Sequence, residues 1–460
     1  MPDLKSLVDP RPKLNLDVLL HIITFAEITV QSRMMKTCHA LYRQGARHLL
    51  RQNSHWHSTE RKLVSFILFL LADPPFRFPS LRQLWLGHGL QEGISSETGK
   101  MLTELFVQLG RAENIGLREL WLGKSEDILR ADSRLTEAIA SVTTLNSISI
   151  DDVGLRGAQL LKTLRSPLTS ATISFKKDVH LNGIRVEDLN PTLLLEHSKD
   201  TLESLELQNG CFTALGRTVV YPRLTNLAVE GPWFPYISVL LRAFPNLLRL
   251  STALAVTRTP PWVEDADLSS ENRAYQLKHG SWRLNCFEGP SRDLYLLSLL
   301  YPIPHVVLMH ENGDNMDAEI LRTILSDARP IDLQLGPQFL TSNENVLNQE
   351  WMAALFESRN PHLRVLQLTL TVTVYTSSED DEDEMLEEAL EALRATVVEY
   401  SRLSAFHLTI EGLDRPQDDR MAPFILNLDL HALVDDFLDC SQLKEMSVHQ
   451  QTGGPLCRRI

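Results

Sequence analysis

The sequence predicts an α/β protein: a small N-terminal helical module followed by a long series of strand–helix units whose strands form a parallel ladder. Three observations predict it. A short leucine phrase recurs along most of the 460 residues. Segments with helical spacing of apolar residues separate its copies, and the first 62 residues differ in charge from the rest. Because one strand–helix unit cannot bury its apolar face alone, successive units are expected to stack on a continuous core.

The charge of the chain changes near residue 62. The whole chain has 45 Lys and Arg against 59 Asp and Glu, which gives a formal charge of −14. Residues 1–62 hold ten basic and five acidic residues, so this segment is +5 and the remaining 398 residues carry −19. Such a step indicates a separate module. We expect a flexible tail over residues 1–13, a helical module over 14–52, and a linker with a first capping helix over 53–80.

The composition also narrows the functional class. The acidic excess argues against nucleic-acid binding, and the longest apolar run, Leu63 to Ala72, is about half of a bilayer span. Five scattered cysteines form no CxxC pair, and the motifs of phosphate-binding loops, dinucleotide sites, zinc proteases and nucleophilic serines do not occur. The chain opens without a signal-peptide pattern. We therefore expect a non-catalytic, cytoplasmic and/or nuclear protein with no cofactor, metal, nucleic-acid or membrane partner.

The recurrent phrase is Leu-x-x-Leu-x-Leu, which is complete at Leu81 and Leu117. Its Leu-x-Leu end alternates like a short strand and places both leucines on one side. Stretches of helical spacing follow, for example around Leu102 and around Ile237. Further copies, most of them degenerate or weaker, start at Leu145, Leu168, Leu202, Leu224, Leu247, Ile303, Leu363, Leu403 and Leu443.

This pattern resembles an irregular leucine-rich-repeat solenoid extending over residues 81–460. The Asn or Cys that such repeats carry three positions after the last leucine is missing, so the resemblance implies strand–helix stacking without a buried Asn ladder. Two segments interrupt the rhythm, 253–281 and the stretch around 411–422, and we expect insertions or loops there. We also expect an acidic loop at 376–384, followed by a helix from Met385 to Tyr400.

The module at 14–52 has more apolar surface than about forty residues can hide. One stretch places Val18, Leu19, Ile22 and Phe25 on a wide apolar stripe. A second stretch, 30–50, repeats the pattern at Met34, Met35, Cys38, Leu41 and Tyr42. These side chains must be covered either by the first strand–helix unit or by another protein.

The order Leu14-Asn15-x-Asp17-Val18-Leu19-x-x-Ile22, followed by Met35-Lys36-Thr37-Cys38-His39-Ala40-Leu41-Tyr42, resembles the F-box of fungal proteins with repeat-bearing C-termini. Asn15 occupies the place usually held by Pro, and Thr29-Val30 replaces the usual acidic-Leu step. The resemblance implies that the module docks on a Skp-type adaptor, which joins a cullin–RING ubiquitin ligase, while the repeats bind a protein substrate. The adaptor-binding residues would be Leu14, Leu16, Val18, Leu19, Ile22, Ile23, Met35, Cys38, Leu41 and Tyr42.

An alternative interpretation is a leucine-rich-repeat binding scaffold outside any ligase, in which the same N-terminal helices only cap the solenoid. A third interpretation is an enzyme with an unrecognised site, which would need a deep polar pocket with convergent titratable groups. We expect individual residues of the module to divide between the two uses, some facing inward and some facing a partner.

The residue between the last two leucines of each phrase points away from the core and is a candidate for substrate binding. The candidates are Trp85, Trp121, Glu206, Gln367 and His407. Trp85 and Trp121 occupy matching positions in neighbouring copies, and tryptophan is enriched at binding hot spots. The alternative that the two rings pack on each other, or under a loop such as 87–96, and bind nothing stays open.

Overall fold

The structure is a computed structural model. It describes residues 15–52, 59–87, 93–176, 190–210, 212, 219–231, 237–253, 265–309, 317–340, 349–356, 361–372, 380–400, 402–412, 429–440, 443–452 and 457–459. These residues belong to two compact units. The first lies within Met1–Ile184 and Leu194–Leu202, and the second lies within Arg185–Leu193 and Glu203–Ile460.

The first unit opens with helices. Asn15 caps the first of them, because its side chain accepts a hydrogen bond from the backbone N–H of Asp17 at 3.1 Å. The first two helices pack on the third, so the described part of the predicted module is helical. The elements are α1 (Leu16–Phe25), α2 (Ile28–Met35), α3 (His39–Gln52), α4 (Glu60–Leu71) and α5 (Pro74–Arg77).

Four parallel strands, each paired with the next, form the sheet of the first unit. They are β1 (Gln83–Leu86), β2 (Glu119–Leu122), β3 (Ser147–Val153) and β4 (Ser170–Phe175). The helices between them are α6 (Ser96–Arg111), α7 (Ser125–Ala131), α8 (Leu135–Ala140) and α9 (Leu155–Thr163), and neighbouring helices contact one another. The chain then forms α10 (Pro191–Leu194) and a short 3-10 helix at Glu196–Ser198.

The second unit continues the same strand–helix alternation. Its parallel strands are β5 (Ser204–Gln208), β6 (Asn226–Glu230), β7 (Arg249–Thr252), β8 (Cys286–Pro290), β9 (His305–Met309), β10 (Asp332–Leu340), β11 (Val365–Val372), β12 (Ala405–Gly412) and β13 (Glu445–Thr452). β14 (Cys457–Arg459) pairs antiparallel with β13. The helices are α11 (Ile237–Ala243), α12 (Asp265–His279), α13 (Ser291–Leu297), α14 (Ala318–Ala328), α15 (Gln349–Phe356), α16 (Asp380–Glu399) and α17 (Leu430–Cys440).

The leucine phrases build the core, as predicted. Leu81, Leu84 and Leu86 are at most 1% exposed, and the strand register places Leu84 beside Leu120, so equivalent apolar residues stack from strand to strand. Each of the eleven predicted copies ends in one of the strands above. The α/β class with parallel strands and intervening helices is confirmed, and its arrangement within each unit is compatible with a repeat solenoid.

Two expectations need correction. The segment near 253–281 is not a loop over its described second half, because α12 packs there between α11 and α13 like the other helices of the unit. The acidic segment 376–384 is helical from Asp380, where α16 begins. Acidic residues are favourable in the first turn of a helix, which explains the earlier start. Residues 254–264, 376–379 and 413–422 lie outside the described residues. Among the described helices, none is both long and apolar enough to cross a bilayer.

Two of the parallel strands, β8 and β10, have no predicted counterpart. β10 follows Pro330 where the phrase expects leucine, although Leu333 and Leu335 fit the rest of it. In β8, Gly289 stands where the last leucine would be. A Cβ atom there would lie 2.1 Å from Thr252 Oγ1 and 2.6 Å from the Thr252 carbonyl oxygen. The close approach of β7 therefore excludes the leucine that would have revealed this strand.

Candidate functional site

The outer side of α1 carries an apolar stripe that the described helices leave open. Val18, Ile22 and Phe25 lie at i, i+4 and i+7, so they share one side of the helix. They are 46%, 44% and 79% exposed. Isolated exposed apolar residues are ordinary, but three on one helix side form a patch of the kind that marks an interaction site. We call these three residues the α1 stripe.

The opposite side of α1 forms the module's own core. Ile23, Met35 and Ala46 pack together. Gly45 allows this close approach of α1 and α2 to α3, since a Cβ atom there would lie 2.7 Å from both Ile23 Cδ1 and Met35 Cγ. The core therefore holds the α1 stripe outward on a fixed base.

The ten predicted adaptor-binding residues divide between these two sides. Ile23, Met35 and Leu41 are buried, and they support the module from inside instead of forming its surface. Leu19 is half-buried, and Leu14 lies outside the described residues. The predicted residues that remain exposed are Leu16, Val18, Ile22, Cys38 and Tyr42. Phe25, which the motif comparison left out of the contact set, is the most exposed large apolar side chain of the three helices.

Aromatic and arginine side chains join the module to α4 and α5. Tyr42 meets the Phe69 ring edge-on with centroids 6.1 Å apart. The guanidinium of Arg77 lies over both rings, 5.1 Å from the Tyr42 centroid and 4.1 Å from that of Phe69. Arg47 lies 4.2 Å from the Phe76 centroid. These cation–π contacts attach α3, so one side of Tyr42 serves the intramolecular junction.

The open sheet face is the side of the strands that carries the residues between the buried leucines. On this face of the first unit, Trp85 and Trp121 are directly opposite in register and half-buried, with ring centroids 4.2 Å apart and planes inclined by 51°. Trp121 Nε1 donates to Asp151 Oδ2 at 3.1 Å. The two rings thus contact each other, as the packing alternative expected, and they also keep part of their surface open.

On the open sheet face of the second unit, Gln367 and His407 line a depression of about 490 Å³. His407 Nδ1 lies 2.6 Å from Ser447 Oγ, its register partner on β13. Glu206 is exposed on β5 and is not among the lining residues. The sequence analysis missed most of the depression, although the alternation of β11 to β13 continues past the leucine phrase and carries part of it. The lining residues not predicted are Gln334, Leu368, Thr369, Thr409, Glu445, Met446, Ser447 and His449.

No protein-family model matches the chain, and no curated protein matches it either. Within the described ranges, no cluster of three or more His, Cys, Asp or Glu side chains is arranged to hold a metal ion. The described surface therefore offers two kinds of feature, the α1 stripe and the two open sheet faces.

Proposed function

We propose that the protein is the substrate-recognition subunit of an SCF-type ubiquitin ligase. Its N-terminal helices dock a Skp-type adaptor, which connects it to a cullin–RING ligase, and its leucine-rich-repeat-like units bind a protein substrate. The protein supplies binding surfaces, and the ubiquitin-transfer chemistry lies in the partner subunits. The α1 stripe is the observation that carries this proposal.

The α1 stripe suits docking because a large part of the surface of its side chains, 44–79%, is still exposed. Completely burying an aliphatic or phenyl side chain contributes about 1.5–3 kcal/mol. The stripe lies within the residues that resemble an F-box, and the buried Ile23 on the other side keeps α1 in place. A partner groove that takes up α1 as an amphipathic helix would cover all three side chains at once.

A second function, a scaffold whose N-terminal helices only cap the repeats, is supported by the junction at Tyr42. The Arg77 and Phe69 contacts show that α3 already packs on α4 and α5. In this alternative, α1 has no partner and its exposed apolar side chains have no binding role.

Co-purification with a recombinant Skp-type adaptor separates the two functions. The test variant is Val18→Lys plus Ile22→Lys. Lysine is a good helix former, and a cation is favourable toward the end of α1, which has no basic residue in its last turn. We expect the wild-type chain to bind the adaptor. The double variant should bind it at least tenfold more weakly, since two charges would have to be desolvated in the interface.

A matched control replaces Leu155, a 63% exposed residue of α9, by lysine. It adds a charge to an apolar surface position away from α1 and should leave adaptor binding intact. Circular dichroism of all variants checks that the helices persist. Failure of the wild-type chain to bind any Skp-type adaptor would reject the ligase function and favour the scaffold.

A further inference from the structure

The open sheet face of the first unit has a chemical character that the proposed function does not use. Its outward positions on β1 to β3 include two large aromatic side chains, Trp85 and Trp121, and two acids, Glu119 and Asp151. The remaining outward positions there are Gln83, Ser147 and Ser149, and Asp152 is exposed at the irregularity near the end of β3. No Lys or Arg occupies an outward position of these three strands, so this part of the face is both aromatic and negatively charged.

The two acids lie on opposite sides of the tryptophan pair. Glu119 precedes Trp121 by two positions on β2, so the two side chains emerge on the same face. Asp151 lies two positions beyond Ser149, which is the register partner of Trp121 on β3. The aromatic rings are therefore bracketed along the strand direction by two carboxylates.

Hydrogen bonds orient both acids and leave each with accepting capacity. Asp151 uses Oδ2 to accept from Trp121 Nε1, and Glu119 uses Oε2 to accept from Gln83 Nε2 at 2.7 Å. Within the described residues, neither Oδ1 of Asp151 nor Oε1 of Glu119 accepts a hydrogen bond. The contact with Asp151 also fixes the plane of the Trp121 ring.

We propose that Trp85, Trp121, Glu119 and Asp151 form a site for an arginine side chain of the protein that this chain binds. A cation is attracted to the face of an indole ring within about 6 Å of its centroid, and arginine is the cation most often found there. A guanidinium stacked on the ring also presents N–H groups in its own plane, which suits the free carboxylate oxygens on either side. This inference rests on the proposed function only in taking the arginine to belong to the substrate.

Charge supports an arginine-bearing segment over the other occupants of such a face. A phosphorylated segment would meet two carboxylates with no cation on these strands, and a purely apolar segment would leave the carboxylates unpaired. The net charge of −19 over residues 63–460 further favours encounter with a basic partner.

The test uses the full chain and a ten-residue Gly/Ser peptide with three arginines, compared with the same peptide carrying citrulline in their place. Citrulline keeps the size and planarity of arginine and removes its charge. We expect the arginine peptide to bind at least tenfold more tightly by biolayer interferometry. We also expect it to shift the Trp121 indole N–H resonance, which a Trp121→Phe variant identifies.

The decisive variant is Asp151→Asn plus Glu119→Gln. Asparagine still accepts from the indole N–H, so this variant removes the two charges while keeping the ring orientation. It should weaken arginine-peptide binding at least fivefold. The matched control, Glu203→Gln plus Glu230→Gln, removes two exposed acids of the second unit and should leave binding unchanged.

Three results would overturn the proposal: no detectable binding of the arginine peptide at 1 mM (about the weak limit of specific recognition), equal binding of the citrulline peptide, or equal loss in the test and control variants. None of these measurements involves the adaptor. A chain that binds the peptide but no adaptor would keep the arginine site and lose the ligase function, and the reverse result would do the opposite.

Discussion

Phe25 provides the sharpest quantitative prediction, because it lies in the α1 stripe and contributes almost nothing to the free protein. It is 79% exposed. If full burial of such a side chain is worth about 1.5–3 kcal/mol, covering the exposed part contributes about 1.2–2.4 kcal/mol to adaptor binding. Phe25→Ala should therefore weaken binding by about 7- to 50-fold, at about 1.4 kcal/mol per factor of ten.

The same substitution should hardly change the free energy of unfolding. Only the remaining fifth of the side chain is buried, and its edge-on contact with the His21 ring, centroids 5.0 Å apart, is a local contact on one helix. We expect a loss of less than about 1 kcal/mol. Calorimetric titration with the Skp-type adaptor measures the first quantity, and urea unfolding measures the second.

Two controls separate docking from general effects of truncation. Leu277→Ala removes a 74% exposed side chain from α12 in the second unit and should change neither quantity. Ile23→Ala removes a fully buried side chain from the module core and should cost about 2–5 kcal/mol of stability. Unchanged adaptor affinity of Phe25→Ala would refute the docking role of α1. A loss of stability above about 2 kcal/mol would refute the reading of Phe25 as an open side chain.

Two further predictions concern the repeat units. Gly289→Leu restores the leucine phrase in β8 but places side-chain atoms against Thr252, so urea unfolding should show a loss of at least about 2 kcal/mol; a stabilised variant would contradict the packing of β7 on β8. Hydrogen bonds from the Arg134 side chain, and next from its backbone N–H, lower the pKa of Asp132 from 3.8 to about 2. The ionised carboxylate therefore stabilises the folded state above pH 4, and this contribution is lost as the pH falls toward 2. Because Arg134 is exposed, the contribution is about 1 kcal/mol. Asp132→Asn should make stability less dependent on pH between 4.5 and 2.5, and identical pH profiles by urea unfolding would contradict the assignment.

Most of the parallel strands could be predicted from the sequence because the leucines of the repeated phrase are the residues that the strands bury. In the predicted copies that start at Leu81, Leu117 and Leu202, for example, the second and third leucines lie in a strand and are buried. The pattern fails to predict a strand where the close approach of a neighbouring strand restricts which residue can occupy a position of the phrase. Gly289 is small because Thr252 is close, and that distance belongs to the folded protein and not to the local sequence.

The candidate site was predictable only in part for a related reason. Helical spacing identifies a wide apolar stripe, but it does not say which side of that stripe meets α3. Ile23 faces the core and its chain neighbour Ile22 faces outward, a difference set by the close approach at Gly45. Similarly, the match of Trp85 with Trp121 follows from the phrase, whereas the hydrogen bond from Trp121 to Asp151 depends on how β3 lies beside β2.

The strand register has a consequence for how recognition can change over time. Successive phrase starts are separated by intervals from 22 to 60 residues, yet within each unit the ladder keeps equivalent positions side by side, as Gln367 beside His407 shows. Length differences are absorbed between strands, so spacing on the outward side stays near 4.8 Å per strand. Specificity can thus be revised one strand at a time by single substitutions, while the hydrophobic framework that presents them is inherited unchanged.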